Sequence, residues 1–242
     1  MKKFEINKIK NTCNSEIPTK EDFQTVHGVP LNKENLEGLL SEGKLLETNL
    51  SEGSEETFDH SYLGVIRDED GNVVFIGEFK DGKQHGKGFE YLPSGSLMFE
   101  GDYENDYRNG KGTEFYFWEP LSGSVLYQGE YIDGGRHGKA TQYFEDGSRY
   151  EGDWEYNRRS GYGVIYHEDD SLDFEGYWKF GEPDGQGTQY WKNGSICYKG
   201  EFKVWSGRCG YGTLYCPDGS IFFKGEFVDG ESVNSSEEQF VE

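Results

Sequence analysis

The sequence predicts an all-β protein: an elongated, single-layer, twisted antiparallel sheet of tandem β-hairpins, preceded by a short, partly helical N-terminal extension. A five-residue pattern, aromatic-x-Gly-acid-aromatic, occurs seven times between Phe75 and Phe227, and its fourth position is acidic in six copies. The glycines of consecutive copies are separated by 24, 28, 23, 24, 24 and 25 residues. A period of this length is typical of repeat arrays, in which each unit buries surface only against its neighbours. The repeated glycines are Gly77, Gly101, Gly129, Gly152, Gly176, Gly200 and Gly225.

Each repeat is predicted to be one β-hairpin. A second glycine pair, Gly86 and Gly88 in the first repeat, follows nine and eleven residues after the first glycine. Between the two glycine sets lie tight-turn signals such as Asp81-Gly82, which suit turns that need positive φ. After the second set come short β-prone strings, for example residues 113–116.

The period-two alternation of a strand assigns side chains to faces. Phe75 and Gly77 fall on one face, together with the aromatic residue at the fifth position, and the acidic residue falls on the other. A turn at residues 81–82 is expected to set Gly77 opposite Gly86 and Phe75 opposite Gly88. Glycine at these points allows an aromatic ring to lie flat on the neighbouring backbone, which a Cβ would obstruct.

The repeats define three regions of the chain. The array is predicted over residues 61–230, with six full repeats and a partial repeat at each end. Residues 1–60 form an extension that either caps the terminal strand of the sheet or binds a partner, with a short helix at 33–42 and an acidic linker at 51–60. Residues 231–242 are predicted to be an acidic disordered tail.

Charge limits the choice of partner. The formal net charge is −22 and 16% of the residues are aromatic. Nucleic acids and anionic lipids attract basic surfaces, so we expect no nucleic-acid partner, and the charge opposes a membrane partner. The opening residues lack the apolar run of a signal peptide, and no stretch reaches the ~18 apolar residues of a membrane span. We expect an intracellular, cytoplasmic protein that associates with the cytoskeleton or with a membrane surface.

No motif for catalysis, a cofactor or a metal is found. The four cysteines include no C-x-x-C pair, and neither a P-loop nor an H-E-x-x-H motif occurs. His85 and His137 precede the second glycine set and are expected to fill a structural slot of the repeat. The sequence therefore predicts a protein that is not an enzyme and has no cofactor.

The acidic fourth position is expected to line the face opposite the rings. These residues are Glu78, Asp102, Glu130, Asp153, Glu201 and Glu226, and Glu100, Glu151 and Glu175 join them from the second position. Lys87, Lys111 and Lys139 should partly neutralise the first half of this face, whereas Tyr162, Gln186 and Tyr211 replace them later. The face is therefore predicted to become more negative from about Glu151 onward, either as a solvated surface or as a docking strip for a basic partner.

These patterns resemble the MORN-repeat family (membrane occupation and recognition nexus). The run from Tyr150 to Trp154 followed by Gly161 and Gly163 nearly matches that family's repeat, and so does the run from Phe75 to Gly88. The resemblance covers about residues 62–230. It implies a single-layer, strongly twisted antiparallel sheet of MORN hairpins that serves as a scaffold or docking surface.

The leading functional hypothesis is a non-catalytic scaffold that binds a protein, a basic or helical peptide segment, along an aromatic groove or the acidic face. The candidate contacts are Tyr150, Trp154, Phe174, Trp178, Tyr198, Phe202, Glu151, Asp153 and Glu175. An alternative is a peripheral membrane or phosphoinositide-associated adaptor, and a third is a regulatory part of an enzyme complex. Homo-oligomers through the sheet ends are a further expectation.

Overall fold

The computed structural model describes residues 61–233, and outside that range only the backbone of three short strands at 25–26, 29–30 and 46–49. The predicted helix at 33–42, the acidic linker at 51–60 and the residues after 233 lie outside the described residues. The predicted roles of the extension and the tail therefore stay predictions.

The described residues form eighteen strands. They are β1 (Thr25–Val26), β2 (Val29–Pro30), β3 (Leu46–Asn49), β4 (Tyr62–Arg67), β5 (Val73–Lys80), β6 (Lys83–Tyr91), β7 (Leu97–Glu104), β8 (Tyr107–Phe115), β9 (Val125–Ile132), β10 (Gly135–Tyr143), β11 (Arg149–Glu155), β12 (Arg158–Tyr166), β13 (Leu172–Lys179), β14 (Glu182–Tyr190), β15 (Ile196–Lys203), β16 (Gly207–Tyr215), β17 (Ile221–Val228) and β18 (Glu231–Ser232). β1 and β2 pair with each other.

Residues 61–233 form one open antiparallel sheet. Its fifteen strands, β4 to β18, follow chain order, and each pairs with the next. No helix occurs within residues 61–233. The predicted all-β class and hairpin array are confirmed for this part of the chain. The array extends two residues past the predicted boundary at 230, because β18 pairs with the end of β17.

The predicted pairing within the hairpin was wrong by two residues. Gly77 lies opposite Gly88, not opposite Gly86, and Phe75 lies opposite Glu90. The cause is a β-bulge on the second strand, which places three residues of β6 opposite one of β5. Its centre is Gly86, whose φ of 61° is in the left-handed region that glycine adopts without strain.

The prediction that aromatic rings lie on glycine backbone is confirmed. A Cβ added to Gly77 would stand 2.7 Å from Cζ of Phe75, and one added to Gly187 would stand 2.8 Å from Cζ of Phe174. Carbon atoms in contact prefer a separation of about 3.5–4.0 Å. The glycines are thus required because the rings occupy the space of a side chain.

The core is a single row of rings on one face of the sheet, which we call the ring face. The first-position ring of each repeat meets the fifth-position ring of the next edge to face, as in Phe75–Tyr103 (5.1 Å between centroids) and Tyr150–Trp178 (5.2 Å). This edge-to-face geometry suits the ring quadrupoles and adds to the burial term. The sheet therefore holds together through contacts between neighbouring repeats.

Candidate protein-binding surface

The six aromatic residues predicted to contact a partner all belong to the core on the ring face. Their exposed fractions are 0% for Tyr150 and Tyr198, 5% for Trp154 and Trp178, 6% for Phe174 and 9% for Phe202. In this conformation they present little surface to a ligand. Their contribution to partner binding stays a prediction.

Arginines cover the rings, and the sequence reasoning missed them. Arg108 lies 4.1 Å from the centroid of the Phe99 ring, and Arg136 lies 4.5 Å from that of Tyr127. Arg159 lies over a tryptophan ring and Arg208 over a tyrosine ring. A signal was present, because an arginine stands two residues before the bulge glycine in four of the six repeats.

Two carboxylates hold the first two arginines in place. Glu114 accepts hydrogen bonds from both Arg108 and Arg136, and Glu90 accepts a bond of 2.5 Å from the Tyr103 hydroxyl as well as from Arg108. Burial raises the pKa of Glu90, but its bonds to Arg108 and Tyr103 outweigh this and leave the pKa below its usual value. Burial and the charge of Glu90 raise the pKa of Tyr103. This network stiffens the ring face around β6 to β10.

The face opposite the rings, which we call the outer face, carries the acidic fourth positions beside the bulges. Asp102 accepts a hydrogen bond of 3.0 Å from the amide of Lys111, and Asp153 accepts one of 3.1 Å from the amide of Tyr162. Each accepting carboxylate thus satisfies the amide that follows the bulge glycine. These carboxylates have a structural task that the sequence reasoning did not foresee.

Lysines and an arginine pair with several acids of the outer face. Lys87 forms an ion pair with Asp102, and Lys139 forms one with Asp153 at 2.6 Å. The Arg149 guanidinium bonds to Glu151 at 2.7 Å. Of the three carboxylates predicted as partner contacts, Glu151 and Asp153 therefore already have a cationic neighbour.

The third predicted carboxylate, Glu175, has tyrosines instead of a cation around it. It accepts hydrogen bonds from the hydroxyls of Tyr162 (3.1 Å) and Tyr190 (2.6 Å). The Tyr162 ring meets the Tyr177 ring edge to face at 5.7 Å, and the two residues are 43% and 54% exposed. Burial and the bond to Glu175 raise the pKa of Tyr190 to about 12. We call Glu175, Tyr162, Tyr177 and Tyr190 the tyrosine–acid patch.

The later repeats lack the lysine of the early ones. Tyr162, Gln186 and Tyr211 stand opposite Tyr177, Glu201 and Glu226 across the repeat boundary. Within residues 61–233, no ion pair involves Glu175, Glu201 or Glu226. Their negative charges are therefore available to an external cation.

Other chemistry is sparse in the described part of the chain. Residues 61–233 contain no group of three or more His, Cys, Asp or Glu side chains placed to hold a metal ion. Cys197, Cys209 and Cys216 are free thiols. His137 contacts the Tyr156 ring edge to face at 5.8 Å, a packing role. No helix among the described residues is long and apolar enough to cross a membrane.

A family model described as the MORN repeat matches the chain six times. The matched residues are 75–97, 99–117, 127–149, 150–171, 174–196 and 198–221. Together these matches cover more than half of the chain. Comparison with curated proteins gives no significant match. The MORN repeat is a non-enzymatic module that generally mediates interactions with proteins or membranes.

Proposed function

This chain belongs to the MORN-repeat family, and from that premise we propose that it is a scaffold whose outer face binds a basic segment of a partner protein. The observation that carries the proposal is the tyrosine–acid patch. In this patch the exposed rings of Tyr162 and Tyr177 lie beside Glu175, a carboxylate with no ion pair within residues 61–233.

The early repeats show what the patch lacks. In them a lysine of the array itself neutralises the acid across the repeat boundary, as Lys87 does for Asp102 and Lys139 for Asp153. At the next boundary both members of that pair are replaced, the lysine by Tyr162 and the acid by Tyr177, and the carboxylate beside them is Glu175 of the second position. We infer that a lysine or arginine of the partner supplies a cation for Glu175.

The chemistry of the patch suits such a cation. A lysine or arginine over a tyrosine face gains about 0.5–2 kcal/mol, and a neighbouring carboxylate adds a charge-assisted hydrogen bond. The outer face already contains an internal example, because Arg149 lies 4.2 Å from the Tyr166 ring centroid while it bonds to Glu151. The net charge of −22 would also speed the approach of a basic partner.

The other predicted modes have less support. A peptide in the aromatic groove would have to reach rings that are at most 9% exposed. A peripheral membrane adaptor would have to overcome the net negative charge at an acidic bilayer.

The test uses the full chain and a fluorescein-labelled peptide of nine residues in which lysine alternates with alanine. Fluorescence anisotropy should show binding that weakens with salt, and Glu175→Gln should weaken it about fivefold or more. The matched control is Glu100→Gln, at the same repeat position in the lysine-containing half, and should leave binding within about twofold. Equal effects of the two substitutions, or equal binding of a glutamate–alanine peptide, would contradict the proposal.

A further inference from the structure

A cleft opens between two neighbouring hairpin tips and borders the tyrosine–acid patch at Tyr177. The ladder between β12 and β13 begins at Gly161 and Trp178. Beyond it, the amide of Gly181, at the tip of the β13–β14 hairpin, donates a hydrogen bond of 3.0 Å to the carbonyl of Arg159. The cavity between the two tips has a volume of about 740 Å³, and Arg159, Trp178 and Phe180 are among its lining residues. We call it the Arg159 cleft.

Arg159 differs from the other arginines of the ring face in having no acceptor. Its guanidinium lies 4.4 Å from the Trp178 ring centroid, but within residues 61–233 it makes no hydrogen bond or ion pair. By contrast, Arg108 and Arg136 bond to glutamates, and Arg208 bonds to Gln189 at 2.6 Å.

The repeat sequence places no carboxylate where it would reach Arg159. The groups that bind the other arginines stand at one repeat position, occupied by Glu90, Glu114 and Gln189. For Arg159 the same position holds Gln142 on β10 and Ile165 on its own strand, and within residues 61–233 Gln142 forms no hydrogen bond with Arg159, although Gln189 binds Arg208. Burial lowers the pKa of Arg159, although electrostatic interactions with Tyr150 and Glu182 oppose this shift. A guanidinium that lies over a ring and has no carboxylate partner can form an ion pair with a carboxylate of another molecule.

At both rims of the cleft, aromatic residues occupy turn positions with positive φ that favour Asp or Asn. Tyr156 and Phe180 are 79% and 59% exposed and have φ values of 48° and 55°. Other hairpin tips place Asp81 or Asp133 there, residues that tolerate the left-handed region better than bulky ones. Large rings at both rims therefore bring strain to the turn and apolar surface to the cleft. The next tip along the edge carries Trp205, 87% exposed.

The charge of the lining sets the charge of the ligand. Three cations, those of Arg158, Arg159 and Lys179, and two carboxylates, those of Glu155 and Asp184, give a formal charge of +1. A single carboxylate balances this charge, whereas a doubly charged phosphate would face the two acids of the lining.

We propose that the Arg159 cleft binds an aspartate or glutamate side chain of a partner protein, next to an apolar residue of the same segment. The carboxylate accepts two parallel N–H hydrogen bonds from one edge of the guanidinium in a bidentate pair, and the apolar neighbour packs between the rings of Tyr156 and Phe180. This inference does not rest on the basic-partner proposal, because the site lies at the hairpin tips and selects the opposite charge. Together the two sites would let one sheet bridge two segments.

The test titrates the full chain with N-acetyl-glutamyl-phenylalanine amide and follows the indole N–H signal of Trp178 by NMR. The glutaminyl analogue should bind about tenfold more weakly, because it cannot form the charged pair. Arg159→Gln should abolish the difference between the two probes. The matched control Arg208→Gln, at the same repeat position but with an internal acceptor, should keep it.

Four results would overturn the proposal. The two probes could bind equally, or Arg208→Gln could remove the preference as fully as Arg159→Gln does. Inorganic phosphate could shift the Trp178 signal at lower concentration than the glutamyl probe, which would assign the cleft to phosphate. Flotation with neutral phosphatidylcholine vesicles that is lost in Phe180→Ser would assign the tips to a membrane surface. Arg159→Lys keeps the positive charge but loses the planar guanidinium, so it should retain less than half of the preference for the glutamyl over the glutaminyl probe. This comparison requires only that the variant folds.

Discussion

Replacing Gly187 by alanine should destabilise the array because a ring already occupies the place of the new methyl group. The added Cβ would stand 2.8 Å and 2.9 Å from two atoms of the Phe174 ring and 3.1 Å from an atom of Phe202. A normal carbon contact of about 3.5–4.0 Å requires the Phe174 ring to move by roughly 1 Å. That ring is 6% exposed and contacts Trp178 edge to face at 5.3 Å, so it has little room to move.

The expected cost is about 1–3 kcal/mol for overpacking, less about 0.4–1 kcal/mol gained because alanine restricts the unfolded chain. The net loss of about 1–2 kcal/mol corresponds to a fall in Tm of roughly 2–8 °C for a domain of this size. Urea unfolding followed by tryptophan fluorescence measures the change in the free energy of unfolding.

Gly135→Ala is the matched control. Its φ is not positive, and an added Cβ would meet no atom closer than 3.4 Å. It should leave stability unchanged or raise it by up to about 1 kcal/mol. In a Phe174→Leu background the cost of Gly187→Ala should largely disappear, since the two substitutions act on one contact. An unchanged cost in that background, or a Gly187→Ala protein as stable as the wild type, would refute the ring-on-glycine account.

Three further outcomes are expected. Glu114→Gln should cost about 3–5 kcal/mol in urea unfolding because it leaves the partly buried Arg136 guanidinium without a charge partner and takes one of two carboxylates from Arg108, while the exposed Glu145→Gln should cost less than about 0.5 kcal/mol. Since the pKa of Glu90 is lowered on folding, its contribution is present above about pH 4.3 and is lost as pH falls below that value, so Glu90→Gln should flatten the acid limb of the stability profile. Since the pKa of Tyr190 is raised to about 12 on folding, stability should fall as pH rises above about 10, and Tyr190→Phe should reduce that fall between pH 10 and 12. A profile unaltered by either substitution would contradict the corresponding assignment.

The sequence predicted part of the candidate binding surface. The positions of Glu175, Tyr162 and Tyr177 on the outer face follow from strand alternation, and the lysine-to-tyrosine replacement is visible in the aligned repeats. That Glu151 and Asp153 already pair with Arg149 and Lys139 could not be read, because these contacts depend on which side chains of neighbouring strands come within reach. The six aromatics named as contacts were assigned to the right face, but the sequence does not show how completely neighbouring rings cover them.

The sequence by itself determined the repeat, the number of hairpins and the need for glycine under each ring, because these depend on local spacing and on a period of two along each strand. The tertiary structure decided the register of the strands within each hairpin. The bulge at Gly86 shifts the pairing by two residues, through a backbone conformation that glycine allows but that the sequence alone does not predict. It also decided which charges are satisfied. Arg136 finds Glu114 while Arg159 finds no acceptor, because an ion pair requires two side chains from different strands to meet, and only the assembled sheet sets which ones do.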